Sequence, residues 1–339
     1  MRRGKMKKAI QHLPELWRPY KGRRNNPIAR HWGKAATWRQ YTDRFKHSPL
    51  AMRLADRLGR GRGRMRWLDS MDRTPPAAPV KPDFSNWNDL DLAAAWIGHA
   101  TVLLRMGGMS VLTDPVFSNR VGIGVGLMTA GPKRQFAPAC KLGQLPHLDL
   151  ILISHAHFDH LDRPTLIKLN KKIPVITAPG TKDLIEDLGF HKVTELKWDQ
   201  TTHVKSLAIR AQQVRHWGAR TFYDVQRGYN GYFLSSNHNR IFYAGDTAHQ
   251  EYLRNTGHVD LAIFGIGAYD PFIQAHANPE EVWRMTDDVR AEFLMPIHHS
   301  TYRLSHEPMA EPIERMLLAA GNESDRVVAT KIGDMWNGS

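Results

Sequence analysis

Beyond residue 82 the chain alternates short apolar runs with turn signals and amphipathic stretches. "ATVLLRM" and "MSVLTD" flank Gly107-Gly108, a two-residue hairpin signal. "LDLILIS" (148–154) is a continuous apolar run of the kind found in strands buried on both faces. "RPTLIKLNKK" reads as a helix, "PVITAPG" as a strand, and "TKDLIEDLGF" as a helix closed by Gly189. "SLAIRAQQVRH", "GYFLSS", "RIFYAGDT", "DLAIFGIGAY" and "AEFLMPIHHS" are further strands. "NPEEVWRMTDDV" is a helix with Pro279 near its start and acids in its first turn. Hairpins first, then strands alternating with helices, is an α/β order that two face-to-face sheets with helices outside satisfy.

Residues 74–82, "TPPAAPVKP", form a proline-rich spacer and mark a boundary between an extension, 1–82, and a catalytic domain, 83–339. Before the spacer, Leu50, Leu54 and Leu58 are spaced for one face of a short helix that Gly-Arg repeats then break. Charge sharpens the division. Residues 1–73 hold 21 Lys+Arg against 5 Asp+Glu, a net +16, whereas the rest of the chain is −2. The same segment carries Trp17, Tyr20, Trp32, Trp38, Tyr41, Phe45 and Trp67. Basic residues interleaved with aromatics suit an anionic surface, either lipid headgroups or nucleic acid. A solvated tail or an arm packed on the domain is the plainer alternative.

Hydrophobic residues are 42% of the 339, enough for a sizeable core. No apolar stretch reaches the roughly 18 residues that a membrane-spanning helix needs. The basic N-terminus has no apolar core of the length a secretory signal requires, so a cytoplasmic location is expected. The single cysteine, Cys140, excludes an internal disulfide framework and an all-thiolate metal site, and reads as a small buried residue.

Against that background "HAHFDH" (155–160) stands out, because it follows directly on a buried strand. His155 and His157, two apart, face the same side of an extended segment, and Asp159 and His160 follow where the chain bends toward a helix. One segment can thus aim ligands at two nearby points. Imidazole and carboxylate without thiolate suit zinc, with manganese or iron(II) as second choices. Other candidates are less secure from spacing alone. His216 competes with His191, His203, His238 and His249. Asp246 is either a ligand or the cap of a turn beside Gly245, and His298 competes with its neighbour His299, since consecutive strand residues face opposite ways. Asp114 is placed to hold a ligand histidine by a hydrogen bond, or simply ends a hairpin. His99 is another supporting candidate, and His276 is either a substrate contact or a helix cap.

Taken in order, "VLTDP", "HAHFDH", "RHWGAR", "YAGDT" and "PIHHST" resemble the motifs of the metallo-β-lactamase superfamily, an αββα sandwich with a one- or two-metal site. "WIGHATVLL", "LTDPVFSNR", "GPKR", "IGAYDP" and "HANPEE" extend the resemblance, over about residues 93–335, to the branch of N-acylphosphatidylethanolamine-hydrolysing phospholipase D and its bacterial relatives. Phe158 departs from that pattern, standing where a tyrosine is expected in the animal enzymes.

The resemblance implies two Zn2+ per chain. His155, His157 and His216 would bind the first, Asp159, His160 and His298 the second, and Asp246 would bridge them. It places Asp159, Asp246 and His276 at the catalytic step, His276 as a substrate contact. A water shared by the two ions would be the nucleophile on phosphorus, with no protein nucleophile and no "G-x-S-x-G" elbow. The implied substrate is a phospholipid, met at an anionic membrane surface on the inner face of the membrane. A second copy of the chain is a candidate partner. Hydrolysis of a lactone or a soluble phosphoester is the alternative. A nuclease is disfavoured because the −2 catalytic half suits a phosphate-tracking groove poorly. A binding protein with purely structural metals is disfavoured because such sites usually close with four ligands.

Overall fold

The computed structural model describes residues 74–125, 128–221, 224–254 and 256–338. The basic segment 1–73, with its aromatics and its Leu50, Leu54 and Leu58 stripe, lies outside the described residues. Two sheets carry the domain. The first uses β1 (Leu92–Gly98), β2 (Thr101–Met106), β3 (Met109–Thr113), β6 (Leu150–Leu152), β7 (Val175–Thr177), β8 (Val193–Glu195) and β15 (Met335–Trp336), in the order β15-β1-β2-β3-β6-β7-β8. The second runs β14-β13-β12-β11-β10-β9, from β9 (Thr201–Val204), β10 (Leu207–Gln212), β11 (Gly231–Ser235), β12 (Arg240–Tyr243), β13 (Val259–Gly265) and β14 (Ala291–Ile297). A separate hairpin joins β4 (Ile123–Val125) to β5 (Met128–Ala130).

Both sheets change from antiparallel to parallel along their width: β3, β6, β7 and β8 pair in parallel, as do β12, β13 and β14. The Gly107-Gly108 turn joins β2 to β3 with φ of 55° and 74°, which a side chain would resist. Period-2 alternation explains why the strand sequences are apolar throughout. Ile241, Tyr243, Leu261 and Ile263 join the core between the sheets, while Phe242, Ala262 and Phe264 join the core on the outer face. That outer face is covered by α3 (Pro279–Asp288) and α4 (Glu311–Ala320), through Val282, Met285 and Met316. The first sheet's outer face is covered by α1 (Arg163–Lys168) and α2 (Asp183–Glu186), through Leu166 and Ile185. The layers are therefore helix, sheet, sheet, helix. Burying each of these large side chains contributes about 1.5–3 kcal/mol.

α1 and α2 are shorter than their sequences suggest, and β1, β8, β9, β15 and α4 were not legible as elements. α3 starts on a capping box: Glu281 N–H donates to Asn278 Oδ1 at 2.9 Å, and Asn278 N–H to Glu281 Oε2 at 3.1 Å. The proline-rich residues run along the domain. Ala137 N–H donates to Pro76 O and Val80 N–H to Ile332 O. Cys140 is buried, which pushes its thiol up to about 11. Among the described residues no helix is long and apolar enough to cross a membrane.

Candidate metal centre

The candidate residues leave the carboxyl ends of strands at one edge of the sandwich. Asp114 follows β3, the 155–160 segment follows β6, His216 follows β10, Asp246 follows β12 and His298 follows β14. Ligands gather at this edge in open parallel sheets, where loops diverge and leave a crevice. Gly245 (φ 58°) lets the two sheets touch there: a Cβ on it would lie 2.6 Å from Ser154 Cβ, next to His155.

Two groups form. In the first, His155 Nε2 is 2.8 Å and His216 Nε2 3.3 Å from His157 Nδ1. In the second, His298 Nε2 is 3.4 Å and His160 Nε2 3.8 Å from Asp159 Oδ2. Asp246 Oδ2 lies between them, 3.1 Å from His160 Nε2, 3.3 Å from His298 Nε2, 3.7 Å from His216 Nε2 and 3.9 Å from His155 Nε2. All seven residues expected as ligands are thus together.

These atoms fit a metal. His160 Nε2, His298 Nε2 and Asp246 Oδ1 are buried with no hydrogen-bond partner in the protein, a costly arrangement unless something else binds them. In three of the histidines the far nitrogen is anchored instead. His216 Nδ1 faces Ala275 O at 2.9 Å, His155 Nδ1 faces Ser154 Oγ at 2.8 Å, and His160 Nδ1 faces Asp114 Oδ2 at 2.6 Å. A donor pinned on one side leaves the opposite lone pair aimed at the centre.

His298 lies past the end of β14 with φ 62°, so a left-handed residue rather than strand alternation separates it from His299. His299 turns toward Trp96, ring centroids 4.6 Å apart, and Ser300 Oγ. His276 is inside the site and not a cap. Its Nδ1 is 3.8 Å from Asp246 Oδ2, and its ring stacks on His298 at 5.4 Å. His99 Nε2 meets Asp159 Oδ2 at 2.9 Å, hydrogen-bond distance, while its main-chain oxygen accepts from His298 N–H.

Three contributors were missed. Ser154 and Tyr243 hydroxyls donate to Asp114 Oδ2 at 2.5 and 2.6 Å. Trp217 sets its ring 4.6 Å from His157 and 4.4 Å from His216, at the partly exposed side. Its position beside His216 in "RHWGAR" was the available signal; Ser154 and Tyr243 gave none, because their partner Asp114 lies 40 and 129 residues away along the chain.

The electrostatics follow from burial. It pulls His157 and His276 down to about 4 and His99 to about 3, and holds His155 and His216 well below the ordinary imidazole value. These rings are neutral at pH 7 and can offer lone pairs. Burial opposes charge on Asp159 and Asp246 too, but His160 and His298 beside them keep both well below the carboxylate range. His160 is raised, because Asp246, Asp159 and Asp114 outweigh its burial.

Chelator-treated protein should therefore lose stability on mild acidification. A histidine depressed in the fold binds its proton more readily when unfolded, so stability falls as pH drops from about 6.5 toward about 4. The single raised ring, His160, works the other way. A melting temperature that does not fall across that window would contradict the neutral-imidazole assignment.

A family described as the β-lactamase superfamily domain matches residues 110–299. An uncharacterised protein of Mycobacterium tuberculosis (strain ATCC 25618 / H37Rv) is 34% identical over 264 residues, 73% of this chain and 70% of its own length. N-acyl-phosphatidylethanolamine-hydrolyzing phospholipase D 1 of Caenorhabditis elegans is 30% identical over 79% of this chain and 82% of its own. The mitochondrial enzyme of that name in Saccharomyces cerevisiae is 31% identical over 70% of this chain and 54% of its own. A possible metal-dependent hydrolase from Veillonella parvula shares the fold at 15% identity and a TM-score of 0.59, over 73% of this chain and 99% of its own. By fold, ligand geometry and sequence, the chain belongs to the metallo-β-lactamase superfamily, among the relatives of N-acylphosphatidylethanolamine-hydrolysing phospholipase D.

Proposed function

We propose that this metallo-β-lactamase-fold hydrolase holds two metal ions, zinc by the donor set, and cleaves a phospholipid phosphodiester in the phospholipase D sense. N-acylated phosphatidylethanolamine is the substrate class. The observation that carries the chemistry is the central place of Asp246 Oδ2, within 3.9 Å of one nitrogen from each of four imidazoles. The substrate class is supported by the worm and yeast relatives, whose names state that activity.

In this reading His155, His157 and His216 would hold one ion, Asp159, His160 and His298 the other, and Asp246 would serve both. Bound ions supply Lewis acidity and lower the pKa of a water toward about 7, giving a nucleophile at neutral pH. The protein does the rest by position. Asp159, steadied by His99, and Asp246 bring two carboxylates into the histidine cluster, where they would balance the charge of bound ions. His276, neutral at pH 7, faces Asp246 and can hydrogen-bond a phosphoryl or leaving-group oxygen. Trp217 offers an aromatic wall over His157 and His216, apolar enough to accept lipid. The oxygen of water forms a new bond to phosphorus as the P–O bond to the N-acylethanolamine breaks, the departing oxygen takes up the proton that water gives up, and phosphatidic acid remains.

Hydrolysis in isotopically labelled water tests this. The label should enter the phosphate of phosphatidic acid. Label in the released alcohol, or turnover of lactones or soluble phosphoesters but never of phospholipid, would replace the substrate assignment.

The basic segment 1–73 is the proposed route to the membrane. Each Lys or Arg near an anionic surface contributes about 1 kcal/mol, screened within a Debye length. Full-length protein should sediment with anionic vesicles, only weakly with neutral ones, and come off at high salt. Tighter salt-sensitive binding to DNA would point to a nuclease instead.

A further inference from the structure

We infer that Arg220 is a positioning residue for the metal centre, a strap that ties the ligand loop of one sheet to the ligand loop of the other. The inference rests on the metal-binding reading above and extends it to a residue that touches no candidate ligand side chain.

The geometry is specific. Arg220 Nη1 donates to the main-chain oxygens of Ala156 and Leu161, both at 2.8 Å. Those two carbonyls bracket His157, Asp159 and His160. The guanidinium also lies over the ring of Phe158, 4.0 Å from its centroid. Between the two anchored carbonyls the chain makes one turn, with His160 and Leu161 N–H both donating to His157 O. Arg220 itself is four residues beyond His216, on the loop that leaves β10 of the second sheet. One planar side chain thus sets the spacing between His155 and His157 on one loop and His216 on the other, the three nitrogens of the first group.

The chemistry explains the residue type. Two hydrogens on one guanidinium nitrogen reach two carbonyls, while the flat face stacks on an aromatic ring. A lysine ammonium can donate to the carbonyls but has no plane to lay on Phe158. Phe158 gives its ring face to Arg220. Arg220 stays cationic at neutral pH although burial, then Arg163, lowers it to about 10.

Arg227 provides the control. It lies on the same loop and is held by Asp183, Asp224 and the Gly180 carbonyl, with no contact to residues 156–161 among its hydrogen bonds. The experiment uses full-length protein with zinc as the probe, measured by competition with a chromophoric chelator. Visible absorption of the Co2+-substituted form and melting of the metal-free form accompany it. Arg220→Ala should weaken zinc binding at one site or both by about 10- to 100-fold and alter the Co2+ bands, with Arg220→Lys and Phe158→Leu intermediate. Arg227→Ala should lower the metal-free melting temperature yet keep zinc affinity within about twofold. Unchanged zinc affinity in Arg220→Ala, or in Arg220→Lys and Phe158→Leu should the alanine variant not fold, overturns the strap alone. So does an equal loss in Arg227→Ala at a matched fall in melting temperature, which reduces Arg220 to a fold contact. Failure of the unaltered protein to bind zinc or Co2+ overturns the metal-centre reading and the strap with it.

Discussion

Asp246→Ala is expected to remove both metal ions together and to abolish hydrolysis. Asp246 Oδ2 faces imidazoles from both groups at 3.1–3.9 Å, and Asp246 is the carboxylate common to the two. Partners one layer outside a metal typically cost 10- to 100-fold when removed, so loss of the shared ligand should exceed about 100-fold in activity. His157→Ala gives the contrast. It removes a donor from the first group alone, so metal analysis should show a graded loss rather than the paired loss of Asp246→Ala. The two variants losing metal in the same proportion would refute the bridging role. The metal-free form of Asp246→Ala should fold, since this carboxylate accepts no main-chain hydrogen bond and its Oδ1 has no hydrogen-bond partner.

The second large effect is expected at Asp114, through a different route. Asp114 is fully buried. Its carboxylate accepts from Ser154 N–H at 2.7 Å, Ser154 Oγ at 2.5 Å and Tyr243 OH at 2.6 Å, and faces His160 Nδ1 at 2.6 Å. Alanine there leaves several buried donors without an acceptor, each worth about 1–3 kcal/mol. Asp114→Ala should therefore lower the melting temperature of the metal-free protein sharply, and weaken metal binding because His160 loses the contact that orients it. Asp114→Asn separates the two effects. Its amide preserves volume and part of the bonding, but cannot accept from every donor, so stability should recover more than metal affinity. Melting curves and zinc titration of both variants decide it. Equal metal affinity in Asp114→Asn and the unaltered protein would show that His160 needs no such support.

The two aspartates also show where sequence reading stops. Both are single acids after apolar strands, and spacing offered each a mundane role as a turn or hairpin-end residue. The resemblance of "VLTDP" and "YAGDT" to a known family lifted them out of that class. The fold shows why they differ: one lies under the candidate ligands, facing the His160 ring, and the other lies among them.

Local signals were read well where the physics is local. Gly107-Gly108 dictates a hairpin because left-handed φ at two successive residues strongly favours glycine. "HAHFDH" directly after an apolar strand carries four potential ligands within six residues, so little folding is needed to bring them together. Elements were missed where tertiary pairing supplies the stability. β1, "LAAAWIG", is rich in alanine and lacks a strong strand preference, yet every one of its residues is buried between β2 and β15. β8 and β9 are edge strands of three and four residues whose polar, exposed positions look like loop.

What the sequence determined by itself is the fold class, the family and the set of chemically capable side chains, because apolar rhythm, turn residues and a dense histidine motif are properties of short segments. Which of those side chains meet is settled by packing alone. His298 rather than His299 faces the centre because φ at His298 is left-handed, a fact no alternation rule contains. His276 reaches Asp246 because β12, β13 and β14 run parallel and release their loops at one edge. Ser154 reaches Asp114 from the neighbouring strand of the same sheet, and Tyr243 and Arg220 act from the other sheet, over separations of 40 and 129 residues for Asp114 and of 59 and 64 for Arg220. Contacts of that range leave no periodic trace in the chain, and only packing creates them.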